Sequence, residues 1–176
     1  MLDHNYFDIL DLPEQFSQDI NVLNEKLTQL QSTVHPDNFA QATAQEKRLM
    51  MQYSAMINEA YQVMKDPILR AIHLLELRGI VLDNDTAKDL DKAFLSYQLS
   101  LREELEEASH VESAFLAFRE KIELAFQNIL MDLSKLLDLK HVKNLVLARE
   151  KVLQGQFYQK LMADIEKISR SLEVDR

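Results

Sequence analysis

Three consecutive residues, His35-Pro36-Asp37, set an imidazole and a carboxylate on either side of a proline. Such a pair suits two kinds of chemistry. It can move protons or ligate a metal, or it can hold a carboxylate still for a bidentate contact with a partner's arginine. Pro36 fixes its own φ and stiffens the turn, which suits the second use. No third ligand accompanies the pair in the sequence. The plain structural alternative is a helix-ending turn in which Asp37 bonds to its own backbone. A second pattern, Glu107-x-x-His110, has the spacing of a di-iron bundle site. Such sites need two of these motifs and two further inward Glu residues. One motif at a helix end reads instead as a solvated last turn, where His suits the helix dipole. His4, His73 and His141 carry no constellation.

The elements that must position these residues are helices. The 176 residues are 47% hydrophobic yet include only 2 Gly and 3 Pro, so breakers are scarce and elements long. There is no Cys, which excludes disulfides, thiol catalysis and thiolate-held zinc or iron–sulfur clusters. No cofactor is expected. Net charge is -9, with 11 acids against 6 bases in residues 1–80. Neither half is basic, so neither nucleic acid nor an anionic membrane is expected as a partner. No apolar run approaches the roughly 18 residues of a membrane span. Met1-Leu2-Asp3-His4 lacks the basic and apolar regions of a signal peptide, and a cytoplasmic monomer is expected.

Residues 6–12 predict a short helix ending before Pro13. Asp19 is an N-cap candidate for a helix with Ile20, Val22, Leu23, Leu27, Leu30 and Val34 on one stripe. It must stop near Val34, because a residue before proline is pushed from the helical region. Thr43 and Glu46 form a capping-box pattern. The helix after it carries Leu49, Tyr53, Met56, Ala60 and Val63 and ends at Asp66-Pro67. These two helices form an antiparallel hairpin with the tripeptide in its loop. Residues 68–78 predict another helix, closed by Gly79. The best boundary is residues 79–84, within a Gly- and Asp-rich stretch that runs to Thr86. Beyond it lie three helical patterns: Leu90 to Ala108, Phe115 to Leu136, and Val142 to Leu172 with Gly155 inside. The fold class is all-α, with unit 1–78, linker 79–84 and a three-helix bundle at 85–176.

The tripeptide does not stand alone. Tyr6-Phe7-x-x-Leu10 precedes it, and Ile57-Asn58-Glu59-Ala60-Tyr61 and Asp66-Pro67-x-x-Arg70-Ala71 follow. In this order and spacing the first unit resembles the J-domain family. The resemblance implies docking on a DnaK-type chaperone and stimulation of its ATP hydrolysis. Its essential tripeptide falls on His35, Pro36 and Asp37, with help from the second helix, where Lys26 is the one base. Asn38 follows where a Lys is common, and His73 stands where the family often has Tyr.

Phe94-Leu95-x-x-Gln98-Leu99-x-Leu101-Arg102-Glu103-Glu104-Leu105 is similar to the first bundle helix of HscB-type co-chaperones. That resemblance implies no catalytic activity, the specialised chaperone HscA as partner, and an iron–sulfur scaffold protein of the IscU type as cargo. It also implies a scaffold site of Leu95, Leu99, Arg102, Glu103 and, in the last helix, Phe157. The helical wheel adds its own support. Phe94, Tyr97, Leu101 and Leu105 cluster on one face, leaving Leu95 and Leu99 as an apolar pair on the other with a charged rim. Ser96 and Ser100 stand on the outer face, where relatives can carry apolar and acidic groups. A contact of Leu95 and Leu99 with the first unit is the alternative. Phe157 lies on the apolar stripe of its own helix. The sequence is also compatible with two other readings: a metal-binding or oxygen-activating bundle, and a plain helical adaptor.

Overall fold

The computed structural model describes residues 5–39, 42–82, 92–138 and 142–174. Residues 83–86 of the expected boundary, Leu90, His4 and His141 lie outside these, as do the side chains of Pro36 and Leu172. Among the described residues every regular element is helical. The helices are α1 (Tyr6–Ile9), α2 (Ile20–Thr33), α3 (Ala44–Lys65), α4 (Pro67–Leu77), α5 (Lys92–Ala108), α6 (Glu112–Asp138) and α7 (Val142–Val174), with a 3-10 turn at Pro36–Phe39. The chain divides into two compact units, Met1–Ile80 and Val81–Arg176. No helix among the described residues is long and apolar enough to cross a membrane.

In the first unit α2 packs antiparallel on α3, and α1 and α4 both pack on α3. Phe7, Leu10, Leu23, Ile57, Ala60, Met64, Ala71 and Leu74 are fully buried between them. The first helix stops at Ile9, short of the predicted Leu12. Asp11 adopts a left-handed φ of 51°, and Leu12 N–H turns back to the Phe7 carbonyl at 2.9 Å. A left-handed residue at this point closes a helix, and Asp is among the few side chains that tolerate it. The apolar stripe of α3 is also rotated from the expected one. Ile57, Ala60 and Met64 are buried while Leu49 is half-exposed, because α1 and α4 cover only the later turns. Ile20 and Val22 at the start of α2 are likewise exposed.

Caps set the remaining boundaries. Thr43 and Glu46 form the reciprocal capping box. Asp66 ends α3 and starts α4, its carboxylate accepting the N–H groups of Ile68 and Leu69. Gly79, at φ 80°, closes α4 in a Schellman motif, with Ile80 N–H on Leu75 O and Gly79 N–H on Glu76 O. Arg70 is buried, and its Nε and Nη1 donate at 2.7 Å to the carbonyls of Met64 and Phe16. It thereby satisfies the end of α3 and anchors the segment between α1 and α2.

In the second unit α6 and α7 form the long antiparallel pair, and α5 packs on both. Phe115, Phe118, Ile122, Phe126, Ile129 and Leu133 line the inner face of α6, joined by Leu137 rather than the expected Leu136. The last helix runs unbroken through Gly155, which is buried. Glycine's helix cost there is absorbed by packing.

Candidate functional site

The tripeptide loop begins where α2 ends. Val34 caps that helix with its N–H on Leu30 O, and Thr33 Oγ1 donates to the same carbonyl. Pro36–Phe39 then form one 3-10 turn. Asn38 N–H donates to His35 O at 3.0 Å, and Asn38 Nδ2 reaches back to Ser32 O at 2.7 Å. The Asp37 N–H lies 3.3 Å from His35 Nδ1. The same nitrogen lies 3.4 Å from an Asp37 carboxylate oxygen. The side chains are 59% exposed for His35 and 89% for Asp37. Asp37 therefore has an exposed carboxylate on a loop tied back to the end of α2, a geometry suited to receiving a guanidinium.

The flanking signature residues hold the hairpin that carries this loop. Tyr61 OH donates to Asn24 Oδ1 at 2.8 Å, and Gln31 Nε2 to Asn58 Oδ1 at 3.0 Å, both across α2 and α3. Tyr6 OH donates to Glu59 at 2.9 Å. Lys26, the one base of α2, pairs with Asp11 at 2.5 Å, and this holds the Asp11 carboxyl below the usual range. Beside the loop, Val34, Phe39, Met50, Met51 and Ala55 line an apolar groove that sequence reasoning missed. The missed signal was Met50-Met51 on the early turns of α3, where the expected stripe placed Leu49 instead.

His73 also departs from expectation. It is buried, accepts the Tyr6 N–H on Nε2 at 3.1 Å and stacks on the Tyr6 ring. Burial pushes its imidazole below the ordinary value. Sixty-seven residues separate the pair, so nothing local announces it.

On α5 the wheel separates two faces. Leu101, Leu105 and Ala108 are buried, whereas Leu95 and Leu99 are 47% and 61% exposed. Arg102 and Glu103 are exposed beside them. Glu104 is engaged within the unit, bonding to Lys121 of α6 at 2.7 Å. Phe157 is not at the surface. It is buried on α7, and its ring meets the half-buried Phe94 edge-on with centroids 5.9 Å apart. Its neighbour Tyr158 is pushed up to about 12, by burial first and by the Tyr97 hydroxyl second. The structure thus brings Leu95, Leu99, Arg102 and Glu103 to one exposed face and sets Phe157 in the core behind Phe94. Glu107 and His110 are exposed at the end of α5, and no group of three potential metal ligands occurs among the described residues.

Similarity to known proteins agrees in both units. Residues 90–166 match the family model described as the HSCB C-terminal oligomerisation domain. A co-chaperone protein HscB homolog of Mannheimia succiniciproducens is 38% identical over 172 residues, spanning 96% of this chain and 98% of that one. The chain belongs to the HscB co-chaperone family. The HscB homolog of Bordetella avium is 36% identical over 92% of this chain and 95% of its own. The HscB structure from Vibrio cholerae superposes with a TM-score of 0.86 at 34% identity, covering 96% of this chain and 99% of that one. Human HscB superposes at 0.85 and 26% identity, covering 93% and 81%. As an HscB-family protein this chain is a J-domain co-chaperone of iron–sulfur cluster assembly, and co-chaperones are a non-enzymatic class.

Proposed function

We propose that this protein stimulates the ATPase of an HscA- or DnaK-type chaperone and delivers to it an iron–sulfur scaffold protein of the IscU type. The observation that carries the reading is the Asp37 carboxylate, exposed in a hairpin loop that the Asn38 side chain ties back to the end of α2. In this reading residues 1–78 are the J-domain, 79–84 the linker and 85–176 the scaffold-binding bundle. His35, Pro36 and Asp37 engage the chaperone, and Lys26 flanks them on α2. Leu95, Leu99, Arg102 and Glu103 hold the scaffold, with Phe157 acting from beneath through Phe94. An apolar pair with a charged rim is the composition of a partner-binding patch. Carrying both sites on one chain raises the effective concentration of cargo at the chaperone. Hydrolysis then takes place in the chaperone's own active site.

The test is the steady-state ATPase of an HscA-type and of a general DnaK-type chaperone with this protein added, with and without scaffold. Wild type stimulates and scaffold strengthens the effect, while Asp37→Asn and His35→Gln do not stimulate. Absence of stimulation by folded wild-type protein with either chaperone sinks the reading and leaves a helical adaptor. A monomer is expected, and light scattering of the same preparation checks it against the oligomerisation named in the family description.

A further inference from the structure

The last four carbonyls of a helix lack partners within it. After α2 the chain offers few donors to meet them. His35 precedes a proline and leaves the helical region, and Pro36 has no N–H at all. Asn38 meets one of them and also closes the loop itself. Its side-chain amide donates to Ser32 O, and its backbone N–H donates to His35 O. The two bonds close rings that enclose His35-Pro36-Asp37 and tie the loop to the last turn of α2.

Charge cannot do the same work in this chain. Residues 20–34 hold one base and one acid, Lys26 and Glu25. Lys26 is already paired with Asp11. Long-range attraction of an acidic partner is therefore weak. A loop that is already ordered loses less freedom on binding, which is the other route to affinity.

We propose that Asn38 is a positioning residue that pre-orders the His35–Asp37 loop for its partner, in place of charge steering from α2. This rests on the reading that the loop engages a chaperone. If the competent loop conformation becomes a minor one, apparent affinity falls by the competent fraction. The plateau of stimulation is unchanged, because the contacting groups are all still present.

The experiment titrates an HscA-type chaperone with wild type, Asn38→Ala, Asn38→Lys and Asp37→Asn at low and at moderate salt. Amide hydrogen exchange of His35 and of residues 37–39 is followed in the free protein. Asn38→Ala raises the half-maximal concentration by about five-fold, the effect of one lost hydrogen bond. It leaves the plateau unchanged, lowers the melting temperature by no more than a few degrees, and speeds exchange at the loop. Asn38→Lys recovers affinity at low salt and loses it as salt rises, whereas the wild-type curve moves little. An Asn38→Ala titration that overlays wild type overturns the proposal while leaving the loop's role intact. A lowered plateau with an unchanged midpoint also overturns it, since Asn38 would then act in the stimulated step itself. No stimulation by wild type overturns the loop reading and this proposal together.

Discussion

The backbone N–H of Tyr6 donates to Nε2 of His73 at 3.1 Å, and the two rings stack with centroids 4.6 Å apart. Through this pair a four-residue helix with little stability of its own is fastened to α4. The acceptor must be the neutral imidazole, so its Nδ1 carries the hydrogen, and that buried atom has no hydrogen-bond partner among the described residues.

Folding stability therefore depends on acidity. Burial lowers the His73 value in the folded protein, while the unfolded chain takes up a proton near the ordinary 6.5. The unfolded state binds more protons below that point, so stability is full above about pH 6.5 and falls as acidity rises through the depressed folded value. Among the described residues, the titratable groups around the pair include Tyr6 itself, Glu59 and Glu76. Burial raises Glu76, which works in the opposite direction. Urea denaturation of wild type gives a lower midpoint at about pH 5.5 than at about pH 7.5. His73→Gln keeps an acceptor for Tyr6 without titrating, and its midpoint is nearly flat over that range. An equal acid loss in both proteins would assign the effect elsewhere.

Leu95 and Leu99 differ from Leu101 on the same helix in what they touch. Replacing both exposed residues with Ala changes unfolding free energy by less than about 1 kcal/mol. It weakens scaffold binding measured by calorimetry. Leu101→Ala instead costs about 3 kcal/mol, because Leu101 is fully buried. Unchanged scaffold affinity in the double variant would remove these residues from the site.

Phe157 is expected to act on the scaffold through Phe94. Phe157→Ala lowers unfolding free energy by about 3 kcal/mol, and scaffold affinity falls with it. Phe157→Leu keeps most of the buried volume, so it retains both stability and affinity within a few fold. A stable Phe157→Leu protein that has lost the scaffold would show direct contact by the ring.

Arg70 is a structural cation whose guanidinium is spent on carbonyls of Met64, Phe16 and Lys65. Arg70→Lys keeps the charge and loses the planar fork. It destabilises the first unit by about 2 kcal/mol, the cost of leaving buried carbonyls unmet. Thermal unfolding measures it. A midpoint within a degree or so of wild type would show that lysine reaches the same carbonyls.

Much of the fold was legible because local rules wrote it. Breaker scarcity gave helices, Pro36 and Pro67 ended two of them, and Thr43, Asp66 and Gly79 capped where their chemistry says they should. The tripeptide could be seen in a hairpin loop because stripes of period 3.6 flank it. What tertiary structure alone decided is which part of each stripe found cover. Leu49 lies on the apolar period of α3 yet stays half-exposed, while Ile57 and Met64 are buried where α1 and α4 arrive. Phe157 and Leu99 are both apolar residues on amphipathic helices, and only packing sets one in the core and the other in water. The bonds from Asn38 to Ser32 and from Tyr6 to His73 were not legible either. A hydrogen bond depends on position to a few tenths of an ångström, and sequence spacing fixes periodicity but not that position.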